Sequence, residues 1–292
     1  MSKLKIKRWD PSTIKPASTI LLVGRRGTGK STLLRDLAWH FAQRRREDGS
    51  PLIDLCVGMS PTEESSESLG SFMPPCLIHN EYSEDVLQRL MDSQKRDWKR
   101  GYGRNILLFL DDCGFDKKVF TSKIVRELFL NGRHRRIGLV FALQFCLDIP
   151  PDIRGNVDIV IAARDPIHSS REKLHRNFFG IFATYQEFGL TFDTCTNNYE
   201  TLILQNNIGV PSNNIEDTVF WHKADPNRPA FRLGNEAFWR MSDRFYRDRE
   251  DEVEEQRQLK EELERRQQLQ RTGIAGVAKA DSAGKTVVAR RY

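Results

Sequence analysis

A glycine-rich segment carries the strongest chemical signal in this chain. Residues 24–31 read Gly-Arg-Arg-Gly-Thr-Gly-Lys-Ser and match the pattern G-x-x-x-x-G-K-[ST] at every fixed position. The apolar run Thr19–Val23 predicts a strand before the segment, and Leu33, Leu37 and Phe41 lie at helical spacing after it. In this context the backbone N–H groups of the loop and the helix N-terminus hold the phosphates of a nucleoside triphosphate.

Two side chains of this loop are expected to act on the bound triphosphate. Lys30 has the length to reach the β- and γ-phosphates, and the Ser31 hydroxyl is a ligand for Mg²⁺. A Gly- and Lys-rich surface turn is the alternative, which the flanking strand and helix patterns disfavour. The predicted cofactors are therefore ATP and Mg²⁺. The predicted nucleotide-binding residues are Gly24, Arg25, Arg26, Gly27, Thr28, Gly29, Lys30, Ser31 and Thr32.

A pair of acids follows a second apolar run. Ile106–Leu110 ends in Asp111 and Asp112, which places both carboxylates where a buried strand leaves the sheet. Asp111 is expected to hold Mg²⁺, directly or through water, as a Walker-B acid does. Asp112 is expected to orient or deprotonate the attacking water, which favours hydrolysis over phosphoryl transfer to another acceptor. The alternative is a pair of turn acids that caps the next segment.

A glutamine and several arginines complete the predicted catalytic set. Gln144 is the first polar residue after Gly138–Leu143, where its amide would contact the γ-phosphate or the water. The positive charge that the transition state requires is often an arginine from a neighbouring subunit. Arg154 and Arg133 are the leading candidates for this arginine. The alternatives are an ordinary exposed glutamine and arginines that contact surface groups or a phosphate backbone.

These residues require an α/β fold to bring them together. Strand patterns alternate with helix patterns from residue 19 to 162, which predicts a mainly parallel sheet flanked by helices. Right-handed crossovers then place every loop that follows a parallel strand at one edge of the sheet. Beyond residue 165 we predict helices over 169–179 and 184–194, a strand over 200–204 and a final strand pair over 219–223 and 229–233.

Composition divides the chain into four predicted regions. Residues 1–16 are basic and are expected to form a loose arm, and residues 17–235 form the P-loop domain, with a long loop over 62–75. Residues 236–270 are nearly continuous charge, which predicts a solvent-exposed helix. Residues 271–292 are small and basic, which predicts a disordered tail.

Charge and hydropathy restrict the environment of the protein. The formal net charge is +6, and basic residues are clustered, for example over Lys95–Arg104. Such clusters indicate that contact with a polyanion should be tested. No run approaches the roughly 18–20 apolar residues of a membrane span, and the first residues lack the apolar core of a signal peptide. The five cysteines have no metal-site spacing and are expected to be reduced thiols. The expected location is the cytoplasm or nucleus rather than a secreted one.

The order of these motifs resembles a known family. The segments 24–31 and 106–112, Asn131–His134, Gln144 and Asp148–Asp158 (Asp-Ile-Pro-Pro-Asp-Ile-Arg-Gly-Asn-Val-Asp) together look like the A32-type genome-packaging ATPases of large double-stranded DNA viruses. These ATPases belong to the FtsK–HerA superfamily of DNA-pumping motors. The resemblance covers about residues 17–225, and the arginine, glutamine and Pro-Pro elements in this order are more specific than the P-loop.

The resemblance implies a P-loop fold of the RecA/FtsK–HerA type in a homo-oligomeric ring, expected to be hexameric. Such a ring hydrolyses ATP, moves double-stranded DNA into a preformed capsid and contacts a capsid or portal-region protein, at the site of virion assembly in the host or associated with the virion. A plasmid or cellular FtsK/HerA-like pump, a P-loop small-molecule kinase and a nucleotide-gated scaffold are the alternatives. The segments 62–75 and 236–270 have no counterpart in the motor signature.

Overall fold

A computed structural model describes residues 4–113, 118–145, 149–206, 214–246, 254 and 257–265. The chain divides into two units, residues 1–244 and 245–292. The predicted domain boundaries after residues 16, 235 and 270 stay predictions. The predicted tail over 271–292 lies outside the described residues.

Strands and helices alternate through the first unit. The described strands are β1 (Lys7–Arg8), β2 (Thr19–Val23), β3 (Leu55–Met59), β4 (Ile78–His79), β5 (Ile106–Asp111), β6 (Ile137–Leu143), β7 (Ile159–Ala163), β8 (Glu200–Gln205) and β9 (Val219–Lys223). The described α-helices are α1 (Lys30–Ala42), α2 (Glu63–Gly70), α3 (Glu84–Lys99), α4 (Lys118–Thr121), α5 (Lys123–Asn131), α6 (Pro151–Arg154), α7 (His168–Asn177), α8 (Tyr185–Cys195), α9 (Ile215–Thr218) and α10 (Glu236–Phe245).

The strands form one nine-stranded sheet in the order β1-β9-β8-β7-β2-β6-β5-β3-β4. The pairs β2–β6, β2–β7, β5–β6 and β3–β5 are parallel, whereas β8 runs antiparallel to both β7 and β9. The register pairs Val23 with Leu143, so these two strands end side by side. The P-loop, the acidic pair and Gln144 therefore leave the sheet at the same edge, as the sequence predicts.

Both faces of the sheet are buried under helices. Helices α3, α5, α7 and α8 pack on one face through residues such as Leu87, Val125 and Phe188. Helix α1 packs on the other face through Leu33, Leu37 and Phe41, which confirms the predicted apolar side of that helix. All five residues of β2 and all seven of β6 are buried, as expected of parallel strands covered on both sides.

Two segments differ from the sequence prediction. The predicted loop over 62–75 contains α2, whose first turn carries the acidic residues Glu63 and Glu64 and whose Leu69 is buried. Acidic side chains stabilise a helix N-terminus, and this local signal outweighs the Ser-rich composition. The predicted strand over 229–233 is wrong as well, because these residues belong to no strand. Leu233 instead donates its N–H to the Phe72 carbonyl. Strand β9 pairs with β8 and β1 instead.

The described part of the N-terminal segment is not loose. Strand β1 pairs with β9, and the buried Trp9 donates its indole N–H to Gln205 Oε1 at 3.0 Å. Ile14 is also buried among the residues around α1. The basic composition of this segment gave no sign that Trp9 and Ile14 are buried. These two side chains attach the segment to the sheet and its helices.

The charged segment 236–270 is not one continuous helix in its described part. Helix α10 ends at Phe245, residue 246 is not helical, and residues 257–265 of the second unit are helical with exposed side chains. No helix among the described residues is long and apolar enough to cross a membrane. The described cysteines, Cys56, Cys76, Cys113 and Cys195, are free thiols.

Candidate nucleotide site

The loop between β2 and α1 adopts a backbone conformation that depends on its glycines. Gly27 and Gly29 have φ values of 80° and 86°, a region that side chains with a Cβ rarely adopt. A Cβ on Gly24 would lie 2.7 Å from the Thr28 hydroxyl and 2.9 Å from the Ala163 Cβ. Thr28 in turn donates its hydroxyl to the Arg25 carbonyl at 2.7 Å, which closes the loop on itself. The motif therefore forms the compact turn that it predicts.

The loop opens into a cleft of about 770 Å³. This cleft brings together the P-loop, the acidic pair that follows β5 and Gln144 after β6. Its lining residues are Arg25, Arg26, Gly27, Gly29, Lys30, Ser31, Thr32, Thr62, Glu63, Glu64, Ser65, Asp111, Asp112, Gln144 and Tyr199. A volume of this size and these polar groups suit a nucleoside triphosphate.

Asp111 is a buried carboxylate with an unsatisfied oxygen. The residue is 2% exposed, and its Oδ1 has no hydrogen-bond partner among the described residues. Burial and the neighbouring Asp112 carboxylate raise the pKa of Asp111. A divalent cation beside it would satisfy the orphaned oxygen and favour the ionised form. Ser31 lines the same cleft, so the donor set fits Mg²⁺.

Asp112 lies at the centre of the polar network in the cleft. Its backbone is left-handed, with φ of 52°, which turns the chain sharply after β5. Lys30 Nζ lies 3.3 Å from Asp112 Oδ1, and the Gln144 amide donates to Asp112 Oδ2 at 2.9 Å. Lys30, Asp112 and Gln144 were predicted as separate functional residues. In the structure Asp112 contacts both of the others.

The two arginines of the loop have different environments. Arg25 lies 3.6 Å from Asp165 and stacks over the Phe145 ring at 5.3 Å, so it is held against the loops that follow β6 and β7. Arg26 meets Glu64 at 3.4 Å, and both of these side chains are largely exposed. An exposed pair of this kind contributes little stability, so Arg26 is free to turn toward a ligand.

Arg133 and Arg154 do not reach this cleft. Both line a second pocket of about 310 Å³, together with Thr19 and Asp158. Thr19 begins β2 and Asp158 directly precedes β7, so this pocket lies at the edge of the sheet opposite the P-loop. Arg154 Nη1 donates to Asn177 Oδ1 at 2.6 Å. The structure thus brings the two arginines together, at a distance from the nucleotide cleft of their own subunit.

Sequence reasoning missed two parts of the cleft wall. The first turn of α2 supplies Glu63, Glu64 and Ser65, which the prediction of a loop had left without a position. Tyr199 is 70% exposed, and its Cδ1 lies 3.4 Å from the Cβ position of Gly29. The antiparallel direction of β8 brings the start of this strand to the P-loop edge, which periodicity does not reveal.

The fold and this cleft define the chain as a P-loop nucleotide-binding protein. No protein-family model matches the chain. Protein 088R of Invertebrate iridescent virus 3 is 33% identical over 234 residues, 76% of this chain and 85% of the relative. Protein 075L of Invertebrate iridescent virus 6 is 32% identical over 227 residues, 74% of this chain and 84% of the relative. Protein L437 of Acanthamoeba polyphaga mimivirus is 28% identical over 84% of this chain and 85% of its own length.

A solved structure has the same fold. The DNA-packaging ATPase B204 of Sulfolobus turreted icosahedral virus aligns over 73% of this chain and 100% of its own, with a TM-score of 0.52 and 16% identity. The chain belongs to the family of the iridescent virus proteins 088R and 075L. The relatives named here are proteins of large DNA viruses.

Proposed function

We propose that this protein is an ATP hydrolase that moves double-stranded viral DNA into a preformed capsid. The observation that carries the hydrolase assignment is the contact of Asp112 with both Lys30 and Gln144 in the cleft that the P-loop lines. A carboxylate beside the γ-phosphate can orient or deprotonate the attacking water, and we assign this task to Asp112. Gln144 is the residue that holds this carboxylate in position.

In this proposal Mg²⁺ is held by Ser31 and Asp111. The orphaned, buried oxygen of Asp111 is the observation that supports the site. A cation held there would supply positive charge beside the β- and γ-phosphates during hydrolysis. Asp111 serves as a ligand and Asp112 as the group that orients or deprotonates water, so the adjacent acids have separate tasks.

Lys30 links nucleotide binding to the state of Asp112. The Lys30 ammonium group lies 3.3 Å from the Asp112 carboxylate. The β- and γ-phosphates compete for the same ammonium group, because they carry more charge than one carboxylate. ATP binding therefore draws Lys30 toward the phosphates and leaves Asp112 and Gln144 facing the γ-phosphate. This exchange restricts an active carboxylate to the nucleotide-bound protein.

The DNA-packaging part of the proposal rests on family membership and on the name that the B204 ATPase carries. In it, the chain works as a homo-oligomeric ring, hexameric by analogy with the superfamily. Arg133 or Arg154 of one subunit completes the site of its neighbour, and a capsid or portal-region protein anchors the ring. The place of action is the site of virion assembly in the host cytoplasm or nucleus. We also propose that the domain boundaries lie after residues 16, 235 and 270.

The Asp112→Asn variant tests the hydrolase assignment. We expect it to bind ATP with near wild-type affinity and to lose at least about a hundredfold in turnover, because a neutral amide cannot accept a proton from water. Fluorescent-nucleotide binding and release of free phosphate measure the two properties. Asp243→Asn, an exposed acid elsewhere in the first unit, is the matched control. Phosphate release by Asp112→Asn at the wild-type rate would contradict the assignment of Asp112.

A further inference from the structure

The last turns of α3 and two nearby loops form a strongly basic surface with exposed aromatic rings. We define this surface, the α3 basic surface, by residues that lie in 95–104 and at 136. Its members are Lys95, Arg96, Trp98, Lys99, Arg100, Tyr102, Arg104 and Arg136, all exposed. We propose that the α3 basic surface binds the phosphate backbone of duplex DNA. The inference rests on the proposed function and assigns the DNA contact that this function requires.

A buried glutamine builds this surface from distant parts of the chain. Gln94 is 4% exposed, and its amide donates to the Arg104 carbonyl at 2.8 Å and to the Arg135 carbonyl at 2.7 Å. One side chain of α3 thus fixes both the loop before β5 and the turn before β6. The basic residues of three segments consequently share a rigid base, although they are up to 41 positions apart.

Trp98 and Arg136 order the centre of the surface. The Arg136 guanidinium lies 5.1 Å from the centre of the Trp98 ring and donates to the Gly103 carbonyl at 3.1 Å. Trp98 is nevertheless 54% exposed, and Tyr102 is 72% exposed. Guanidinium groups and tyrosine hydroxyls contact the phosphates and sugars of duplex DNA without reading its sequence.

Most cations of the surface form no ion pair with a described residue. Of the nearby acids, Asp97 pairs with Arg104 at 2.9 Å and Asp92 accepts a hydrogen bond from Gln88 at 3.1 Å. Lys95, Lys99 and Arg100 form no ion pair with a described residue. These cations repel one another in the free protein. A polyanion that releases counterions on binding relieves this repulsion. A protein partner fits less well, since lysine is depleted in protein interfaces.

The position of the surface separates it from the nucleotide cleft. Arg104 lies just before β5 and Arg136 directly before β6, whereas Asp112 and Gln144 follow the ends of the same strands. The surface is therefore at the edge of the sheet opposite the P-loop, on the same edge as the pocket of Arg133 and Arg154. Neutral substitutions there leave the cleft intact, so DNA binding and basal hydrolysis are separable by mutation.

The test compares two triple variants of the full chain. The first is Lys95→Gln, Lys99→Gln and Arg100→Gln, which removes three exposed charges of the surface. The matched control is Lys123→Gln, Lys223→Gln and Arg240→Gln, three exposed cations outside it. Binding to a labelled 30-base-pair duplex of arbitrary sequence is followed by fluorescence anisotropy at several salt concentrations. ATP turnover is measured on each protein without DNA and with the duplex.

We expect the surface variant to bind duplex roughly tenfold or more weakly and to show a salt dependence shallower by about 2 to 3, because each lost phosphate contact removes about 0.9 from the slope. Basal ATP turnover and melting temperature should match the control. The charge-preserving variant Lys95→Arg/Lys99→Arg should retain binding.

Two results would overturn the assignment of this surface. One is equal DNA binding by the surface variant and the control while duplex still stimulates the wild type, which leaves the proposed function intact. The other is displacement of duplex by polyglutamate at equal charge concentration, which identifies a site for acidic protein. A wild type that neither binds duplex nor responds to it contradicts the proposed function itself.

Discussion

At the scale of single residues, the cleft combines strained backbone with charged side chains. Asp112 and Tyr199 are both non-glycine residues with positive φ, 52° and 62° respectively, and Asn198 before Tyr199 has φ of 50°. Such conformations each cost on the order of 1–3 kcal/mol and persist where the surroundings over-determine them. Here the Glu200 N–H donates to the Asn197 carbonyl at 2.9 Å and Arg164 donates to Asn197 Oδ1, which fixes the turn beneath Tyr199.

We expect Tyr199→Ala to weaken ATP binding by roughly tenfold. An aromatic ring that stacks on a base contributes about 1–3 kcal/mol, and Tyr199 is an exposed ring on the cleft wall beside Gly29. Isothermal titration with ATP and with inorganic tripolyphosphate measures the effect. Affinity for tripolyphosphate should be unchanged, and Tyr199→Phe should behave as the wild type. A loss of both affinities to the same extent would show that the ring supports the loop rather than the base.

At the scale of elements, helix α1 is fastened to the sheet by a buried ionic cluster. Asp36 is fully buried, accepts from Arg228 Nε at 2.7 Å and lies 2.9 Å from His222 Nε2. Burial opposes the ionised form, but hydrogen bonds from His222 and Arg228 lower the pKa of Asp36 overall. Arg228 also stacks over Trp39 at 3.9 Å. The cluster joins the helix that follows the P-loop to β9 and the segment after it.

Asp36→Asn is expected to destabilise the first unit by about 3–5 kcal/mol, because it leaves Arg228 without a buried counter-charge. Urea unfolding measures the change. The double variant Asp36→Asn/Arg228→Met should recover part of the loss, since the unpaired guanidinium is then absent. A single variant as stable as the wild type would show that the cluster makes no net contribution.

Acid should also weaken this cluster. Burial lowers the pKa of His40 below its ordinary value of about 6.5, so the folded state binds a proton more weakly than the unfolded chain. Stability from this group is present above about pH 6.5 and is lost as the pH falls toward the lowered pKa. The melting temperature should therefore fall between about pH 7 and about pH 5, and His40→Gln should flatten this decline. An unchanged decline in His40→Gln would assign it to other groups.

The sequence predicts the elements of this fold better than the contacts between them. Buried parallel strands such as β6 are continuous apolar runs, and α1 buries Leu33, Leu37 and Phe41 as their helical spacing predicts. Helix α2 was missed because one buried leucine, Leu69, carries its tertiary contact. The contact between Lys30 and Asp112 follows from strand order, whereas the place of Tyr199 depends on the antiparallel β8, which no local pattern encodes.

At the scale of the whole molecule, the two edges of the sheet hold different chemistry. The P-loop edge carries the acids and Gln144, and the opposite edge carries Arg133, Arg154 and the α3 basic surface. An arginine at the far edge cannot complete the cleft of its own subunit without a large rearrangement. Its proposed role is therefore at the cleft of a neighbouring subunit.

Mixing of inactive subunits tests this contribution. Lys30→Ala subunits lack a working P-loop but keep Arg154, and Arg154→Ala subunits have the reverse defect. We expect a mixture of the two to regain part of the ATP turnover, because some interfaces combine an intact cleft with an intact arginine. The same experiment with Arg133→Ala identifies which arginine acts. Mixtures that never exceed either variant alone would contradict a role for that arginine across subunits.

ATP turnover with and without duplex DNA tests the central claim most directly. It is measured as release of free phosphate at low salt with Mg²⁺, and the Lys30→Ala variant supplies the blank. We expect duplex DNA to raise the turnover severalfold and added salt to abolish the increase, because the contact is electrostatic. Turnover that is indifferent to duplex DNA at low salt would contradict a DNA-translocating ATPase.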